Sequence, residues 1–226
     1  MKIDIWSDFA CPFCYIGKHH LEQAISQVPN LDISIVYHSF ELDPQAPLSN
    51  EATLYEVLAQ KYQISLDRAK AMTKQVLQKA HEAGLSLQFD SLVSTRTFDA
   101  HRLAHFATDK GYQDVMQERL FKAYLTDSMN LADRAVLLQL AKEVGLDAKQ
   151  TQQMLESDQY AKAVRADEAA AKGCNVTGVP FFVFDEQYAV SGAQPVSVFV
   201  DILSKAQQAE PLSQDGLSCD NDGCAI

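Results

Sequence analysis

Cys11-Pro12-Phe13-Cys14 stands at a seam: the apolar run Ile3-Asp4-Ile5-Trp6 precedes it, and Leu21, Ala24, Ile25 and Val28 follow at helical spacing. Few folds place two cysteines one helical turn apart exactly where a buried strand hands over to a helix. Ile33-Ser34-Ile35-Val36-Tyr37 supplies a second β-branched and aromatic run, so a helix separates two short strands. The economical topology for that order is a right-handed βαβ unit with the strands paired in parallel.

Beyond Pro44 and Pro47 the texture changes. From about Asn50 to Arg165 the chain is rich in Ala, Leu, Lys, Gln and Glu, lacks strand-like alternation, and is punctuated by Gly84, Gly111 and Gly145 at expected helix ends. Five or six helices fit there. In one of them Asp133 reads as the N-cap of Ala135 to Val144, Gly145 as its stop, and Leu137, Leu138 and Ala141 as its buried stripe. Strand character returns in Pro180-Phe181-Phe182-Val183-Phe184. The turn Asp185-Glu186-Gln187 and the run Tyr188-Ala189-Val190 then predict an antiparallel hairpin. Val196, Phe199, Val200 and Leu203 mark a closing amphipathic helix over Pro195 to Gln208. Without the helical block the remainder has the order and size of a thioredoxin fold. The expected class is therefore α/β, with residues 1–49 and 166–208 forming the thioredoxin-like domain, 50–165 an all-helical insertion between its βαβ and ββα halves, and 209–226 a flexible tail.

The chain has 226 residues, of which 47% are hydrophobic and 22% charged, enough for a sizeable core. Its formal charge of −11 disfavours nucleic acid and anionic membrane surfaces as partners. The apolar run Val179 to Phe184 is far short of the roughly 20 residues of a bilayer crossing, and the opening Met1-Lys2-Ile3-Asp4 does not lead into a signal-type apolar segment. Five unevenly spaced cysteines do not describe a secreted disulfide framework. These features predict a cytoplasmic protein whose cysteines perform chemistry rather than staple the fold.

At a helix N-terminus, unpaired N–H groups and the positive end of the helix dipole favour an anion, which predicts a Cys11 thiolate formed more readily than in a free cysteine. Cys14, one turn on, is placed to attack a mixed disulfide on Cys11. Two other readings of the motif stay open: half of a zinc site, or two inert buried cysteines. Zinc would need two more ligands, whereas Cys174 is solitary and Cys219 and Cys224 belong to the tail. Thr177-Gly178-Val179-Pro180 runs straight into a strand, where Pro180 is either a cis proline or simply a strand-opening one.

Taken together, Asp8-Phe9-Ala10-Cys11-Pro12-Phe13-Cys14-Tyr15-Ile16-Gly17-Lys18, Phe40-Glu41-Leu42-Asp43-Pro44, and the segment from Gly178-Val179-Pro180 through Ser191-Gly192-Ala193-Gln194 resemble the FrnE-like branch of the DsbA thiol-disulfide oxidoreductase family. The resemblance spans nearly the whole chain. It implies a nucleophilic Cys11, a cis-proline loop beside it, Val179 offering main-chain hydrogen bonds to a bound peptide, and Pro180 shaping the groove and keeping metals off the thiols. The broader family includes glutathione-dependent 2-hydroxychromene-2-carboxylate isomerases and kappa-class glutathione transferases, which typically carry serine where Cys11 stands.

The expected function is thus a protein thiol-disulfide oxidoreductase, with disulfide isomerisation as a further activity. Its partners are protein thiols and disulfides, it has no tightly bound cofactor and no metal, and glutathione is a candidate co-substrate. The alternative is a glutathione-dependent isomerase or transferase of small aromatic substrates. A monomer and a homodimer are both compatible with the sequence. Cys219-Asp220-Asn221-Asp222-Gly223-Cys224 has turn chemistry that lets its sulfurs meet. From Gln208, 11 residues span at most about 36 to 40 Å, against a radius of gyration of about 17 Å for a chain this long, so an auxiliary redox pair at Cys219 and Cys224 could reach Cys11 and Cys14. Cys174 reads as a small buried hydrophobe. His101 and His105, at i and i+4, are either a metal pair lacking a third ligand or packing residues, and Asp8 is a candidate hydrogen-bond acceptor near the thiols.

Overall fold

A computed structural model describes residues 1–49 and 51–208. The elements are β1 (Lys2–Ser7), α1 (Pro12–Gln27), β2 (Ser34–Ser39), α2 (Leu54–Tyr62), α3 (Leu66–Glu82), α4 (Phe98–Asp109), α5 (Gln113–Leu125), α6 (Arg134–Glu143), α7 (Ala148–Glu156), α8 (Ala161–Gly173), β3 (Phe181–Phe184), β4 (Tyr188–Ser191) and α9 (Val196–Gln208). The strands form one sheet in the order β2-β1-β3-β4. β1 and β2 run parallel, whereas β3 is antiparallel to both β1 and β4, which is the expected βαβ unit joined to a hairpin.

Alternation along the strands divides the sheet's two faces. Ile3, Ile5, Phe182, Phe184 and Val190 pack with Leu21 and Ala24 of α1 and Phe199 and Leu203 of α9. Trp6 faces the other way, with Ala171 of α8 and Val176. A third and larger cluster joins Cys11, Cys14, Tyr15 and Ile16 to the helices between β2 and β3. The thiol motif therefore belongs to the core shared with the helical block.

Six helices, α2 to α7, lie within the block expected at 50–165, and α8 runs through the 165/166 boundary. Local chemistry starts them. Thr53 and Glu56 make a reciprocal capping box at α2, Ser65 caps α3, and the Asp133 carboxylate accepts from the Ala135 N–H at 2.8 Å to open α6. Gly145, at φ +96°, ends that helical segment as expected, and its buried stripe is Leu137, Leu140 and Ala141, with Leu138 half-buried. Among the described residues no helix is long and apolar enough to cross a membrane. The expectations for the tail and for Cys219 and Cys224 lie outside the described residues.

Candidate active site

Cys11 is the N-cap residue of α1, with Pro12 in the first turn and no acidic residue there; its side chain makes no capping bond, and the helix's positive end faces the sulfur. Proline suits that first position because its missing N–H has no helical partner to serve. The Cys11 N–H donates to the Asp8 carbonyl at 3.0 Å and the Cys11 carbonyl accepts from the Cys14 N–H at 3.0 Å, which folds the motif into a tight turn. Both thiols are free and buried, at 4% and 2% exposure.

The Val179–Pro180 peptide is cis, and the Cys11 thiol donates to the Val179 carbonyl at 3.5 Å, so the loop expected beside the motif is in contact with it. Cys11, the Asp8 backbone and the Ser7 side chain are the groups that act on the Cys14 thiol. Burial, followed by the neighbouring Cys11 sulfur, pushes the Cys14 thiol well above the ordinary cysteine range.

The approach of α1 to the cis-proline loop depends on Gly17. A Cβ there would lie 3.0 Å from Phe182 Cζ and 3.1 Å from Pro180 Cγ. Phe182 has no exposed surface and meets Phe199 edge-on at 4.9 Å between ring centroids, so the ring has nowhere to retreat. Overpacking costs about 1–3 kcal/mol, against about 1 kcal/mol gained in helix propensity, so Gly17→Ala is expected to lower stability by about 1 kcal/mol. A urea midpoint unchanged or raised in this variant would show that the contact is slack.

Beneath the motif lies a buried carboxylate. Asp8 accepts from the Leu42 N–H at 2.7 Å, the Thr97 hydroxyl at 2.8 Å and the Ala10 N–H at 3.2 Å, with His101 Nε2 at 3.4 Å. Burial alone would raise its pKa, but His101 and these donors together hold the carboxyl below its ordinary value. Asp8 thus ties β1's end, the Leu42 segment and α4 together under Cys11. On the outer side of α1, Glu118 of α5 accepts from Tyr15 at 2.5 Å and from Lys18 at 2.5 Å. Burial opposes its ionisation, but His19, Lys18 and Tyr15 outweigh it and bring Glu118 down to about 2.

A cavity of about 440 Å³ opens on Cys11. Phe13, Leu54, Val57, Val76 and Tyr124 supply much of its wall, so one side comes from the motif and the rest from α2, α3, α5 and the segments around Leu42 and between α3 and α4. Leu42, Tyr62 and Met72 also line it while remaining 41%, 55% and 40% exposed. A sulfur at the end of an apolar cleft can accept a thiol or disulfide carried by an apolar body.

The remaining expected residues separate. His101 joins Asp8, whereas His105 joins Asp167 at 3.0 Å, so the i, i+4 pair serves two different carboxylates. Among the described residues no group of three His, Cys, Asp or Glu side chains is arranged to hold a metal ion. His20 lies against the Gln194 carbonyl at 2.8 Å, which fixes α1 to the segment before α9. Cys174 is a correction: it is exposed as the C-cap of α8, because the helix ends there and its side chain falls outside the packed face.

Two features escaped the sequence reading. Insert residues of the cavity carried no signal beyond apolar periodicity. Ser7 and Ser39, both buried and paired in register, could have been noticed as hydroxyls closing β1 and β2.

The model of the DSBA-like thioredoxin domain matches residues 2–204. A structure titled "probable DsbA oxidoreductase" from Streptomyces coelicolor is 37% identical, covers 100% of this chain and 99% of its own, and superposes with a TM-score of 0.89. A 2-hydroxychromene-2-carboxylate isomerase shares the fold at 14% identity and TM-score 0.69, covering 92% of this chain and 97% of its own. So does the cytosolic disulfide reductase DsbM of Pseudomonas aeruginosa, at 16% identity and TM-score 0.65, with 92% and 100% covered; that protein has also been solved with glutathione. The match across almost the entire folded chain, with the cysteine pair and the cis proline in contact at its centre, places this protein in the DSBA-like thioredoxin domain family.

Proposed function

We propose that this protein is a thiol-disulfide oxidoreductase of the FrnE-like branch, acting on protein disulfides through Cys11 and Cys14. The observation that carries the reading is the meeting of three parts at one sulfur: Cys11 at the head of α1, Cys14 within reach behind it, and the Val179 carbonyl 3.5 Å in front. In the reductive direction the Cys11 thiolate attacks a substrate disulfide, forming Cys11–S–S–R and releasing the other substrate sulfur as a thiolate. Cys14 then attacks the Cys11 sulfur and R–S⁻ leaves. The substrate has gained two electrons and the enzyme holds a Cys11–Cys14 disulfide. The reverse sequence oxidises a dithiol, and attack on a non-native disulfide followed by release gives isomerisation.

Val179 and Pro180 border this sulfur, and the main chain at Val179 suits an extended peptide laid against it, a mode that binds by backbone hydrogen bonds with little sequence demand. Glutathione is the expected co-substrate, consistent with DsbM having been solved with it. The cytoplasm is the expected compartment, and Cys219 with Cys224 the expected auxiliary pair.

The cavity shared by the motif and the insert favours a second reading, a glutathione-dependent isomerase or transferase of small aromatic compounds. That chemistry needs an activated glutathione thiolate and not a resolving thiol beside it, so the free pair Cys11 and Cys14 favours redox exchange. Equilibration with glutathione buffers and an insulin-reduction assay decide between them. The redox reading requires one two-electron transition and repeated turnover of insulin. Failure to form the Cys11–Cys14 disulfide, together with glutathione-dependent conversion of an aromatic isomerase substrate, would overturn it.

A further inference from the structure

Four charged residues line the cavity that opens on Cys11: Asp8, Asp43, Lys61 and Lys79. Asp8 is buried and held by the donors already described, and the Asp43 carboxylate accepts from the Gln45 N–H at 3.1 Å. Neither lysine is so engaged. Both are exposed, and among the described residues no carboxylate lies within 4.0 Å of either ammonium. Lys79 Nζ stands beside the thiol motif, 5.9 Å from the centre of the Phe13 ring.

The two lysines hold equivalent places on their helices. On α2, Leu54, Val57 and Leu58 face the cavity at i, i+3 and i+4, and Lys61 takes position i+7 of the same stripe. On α3, Met72 and Val76 face it at i and i+4, and Lys79 again takes i+7. Each stripe changes from apolar to cationic in the last turn of its helix. The apolar part is incompletely covered: α2 has no fully buried residue, and Leu54, Val57 and Leu58 are half-buried. An apolar face left open behind a cationic rim fits a ligand that is apolar in its body and anionic at its edge.

We propose that this cavity selects protein disulfides in acidic, apolar surroundings: a bulky apolar side chain beside the substrate cysteine enters the cleft, and a neighbouring carboxylate meets Lys61 and Lys79. The inference rests on the thiol-disulfide reading above and names the substrate class of that site. An extended segment is the occupant because the Val179 main chain, in contact with the Cys11 sulfur, suits one. Apolar burial supplies the affinity, whereas charges at a rim govern encounter rate and choice of partner. With a formal charge of −11 the chain as a whole repels an acidic segment, so two ammonium groups beside Cys11 make this the place where one is accepted. The exchange itself is unchanged: Cys11 captures the substrate sulfur and Cys14 releases it.

The test uses symmetrical disulfide peptides whose fluorophores are quenched until the disulfide is reduced. Their cysteine is followed by leucine and then by glutamate, glutamine or lysine. Dithiothreitol regenerates the dithiol of the full-length protein, and the rate with Cys11→Ser is subtracted. For the parent, kcat/KM is expected to be about tenfold higher on the glutamate peptide than on the glutamine peptide, and lowest on the lysine peptide. Lys61→Gln and Lys79→Gln are each expected to cut the glutamate-to-glutamine ratio about threefold, and the double variant to bring it near one. Lys79→Arg keeps the preference, Asp43→Asn raises it about twofold, and high salt collapses it. The ratio cancels any change in Cys11 reactivity or in the fraction of folded protein. A ratio near one in the parent, or a preference for glutamate that persists in the double variant, overturns the proposal. A parent no faster than Cys11→Ser on every peptide overturns the thiol-disulfide reading itself, and the selection with it.

Discussion

Cys11→Ser is expected to reduce disulfide exchange by roughly a thousandfold or more, because a serine hydroxyl in the same place neither ionises nor attacks sulfur at neutral pH. Cys14→Ser is expected to behave differently. Its Cys11 still opens a substrate disulfide, but nothing behind Cys11 ejects the captured partner, so a mixed disulfide accumulates that non-reducing mass spectrometry identifies. The asymmetry follows from the geometry: Cys11 lies at the helix head beside the cavity and the Val179 carbonyl, whereas Cys14 is buried one turn on and does not line the cavity. Equal loss of the first step in both variants, or substrate trapped on Cys14 in Cys11→Ser, would contradict the assignment of attacking and resolving sulfurs.

The parts of the fold legible in the sequence were those governed by local periodicity. The β1 and β3 runs, the α1 and α9 stripes and the Asp133 and Gly145 boundaries announce themselves within a few residues. β2 shows where such reading stops. Its apolar run ends at Tyr37, but the strand continues through His38 and Ser39 to pair with Trp6 and Ser7. Those two polar residues are accommodated because Asp4, Asp167 and His105 arrive from other elements to bond them. No local pattern encodes partners that distant. The same holds for α8, whose Ala- and Lys-rich stretch carries no mark at residue 165 and simply continues.

The candidate site divides likewise. Cys11, Cys14, Val179 and Pro180 could be named from short motifs, and the structure brings them together. The apolar cavity could not, since Leu54, Val57 and Val76 face Cys11 only after α2 and α3 fold over it. His101 and His105 suggested a shared ligand by their spacing, yet two carboxylates far apart in the sequence, Asp8 and Asp167, divide them.

That division makes Asp8 the most consequential residue outside the thiols. Its carboxylate is 1% exposed and serves the Leu42 N–H, the Thr97 hydroxyl, the Ala10 N–H and His101 at once. Asp8→Ala strands these donors, His101 Nε2 among them, in a dry site, for which the expected cost is about 3–5 kcal/mol of folding stability. Asp8→Asn keeps the shape and an acceptor oxygen but loses the charge, so it is expected to cost less, about 1–3 kcal/mol. The sign of the pH dependence follows from the lowered carboxyl pKa. The stabilisation is fully present above the unfolded-state value of about 3.9 and is lost as pH falls through the folded value below it. Urea unfolding of parent and Asp8→Asn as a function of pH checks this: the gap between them is expected to be constant from neutrality down to about pH 5 and to narrow on further acidification. A gap that stays unchanged to the acid limit would mean that the Asp8 charge contributes nothing, and that only its shape holds the floor of the thiol site together.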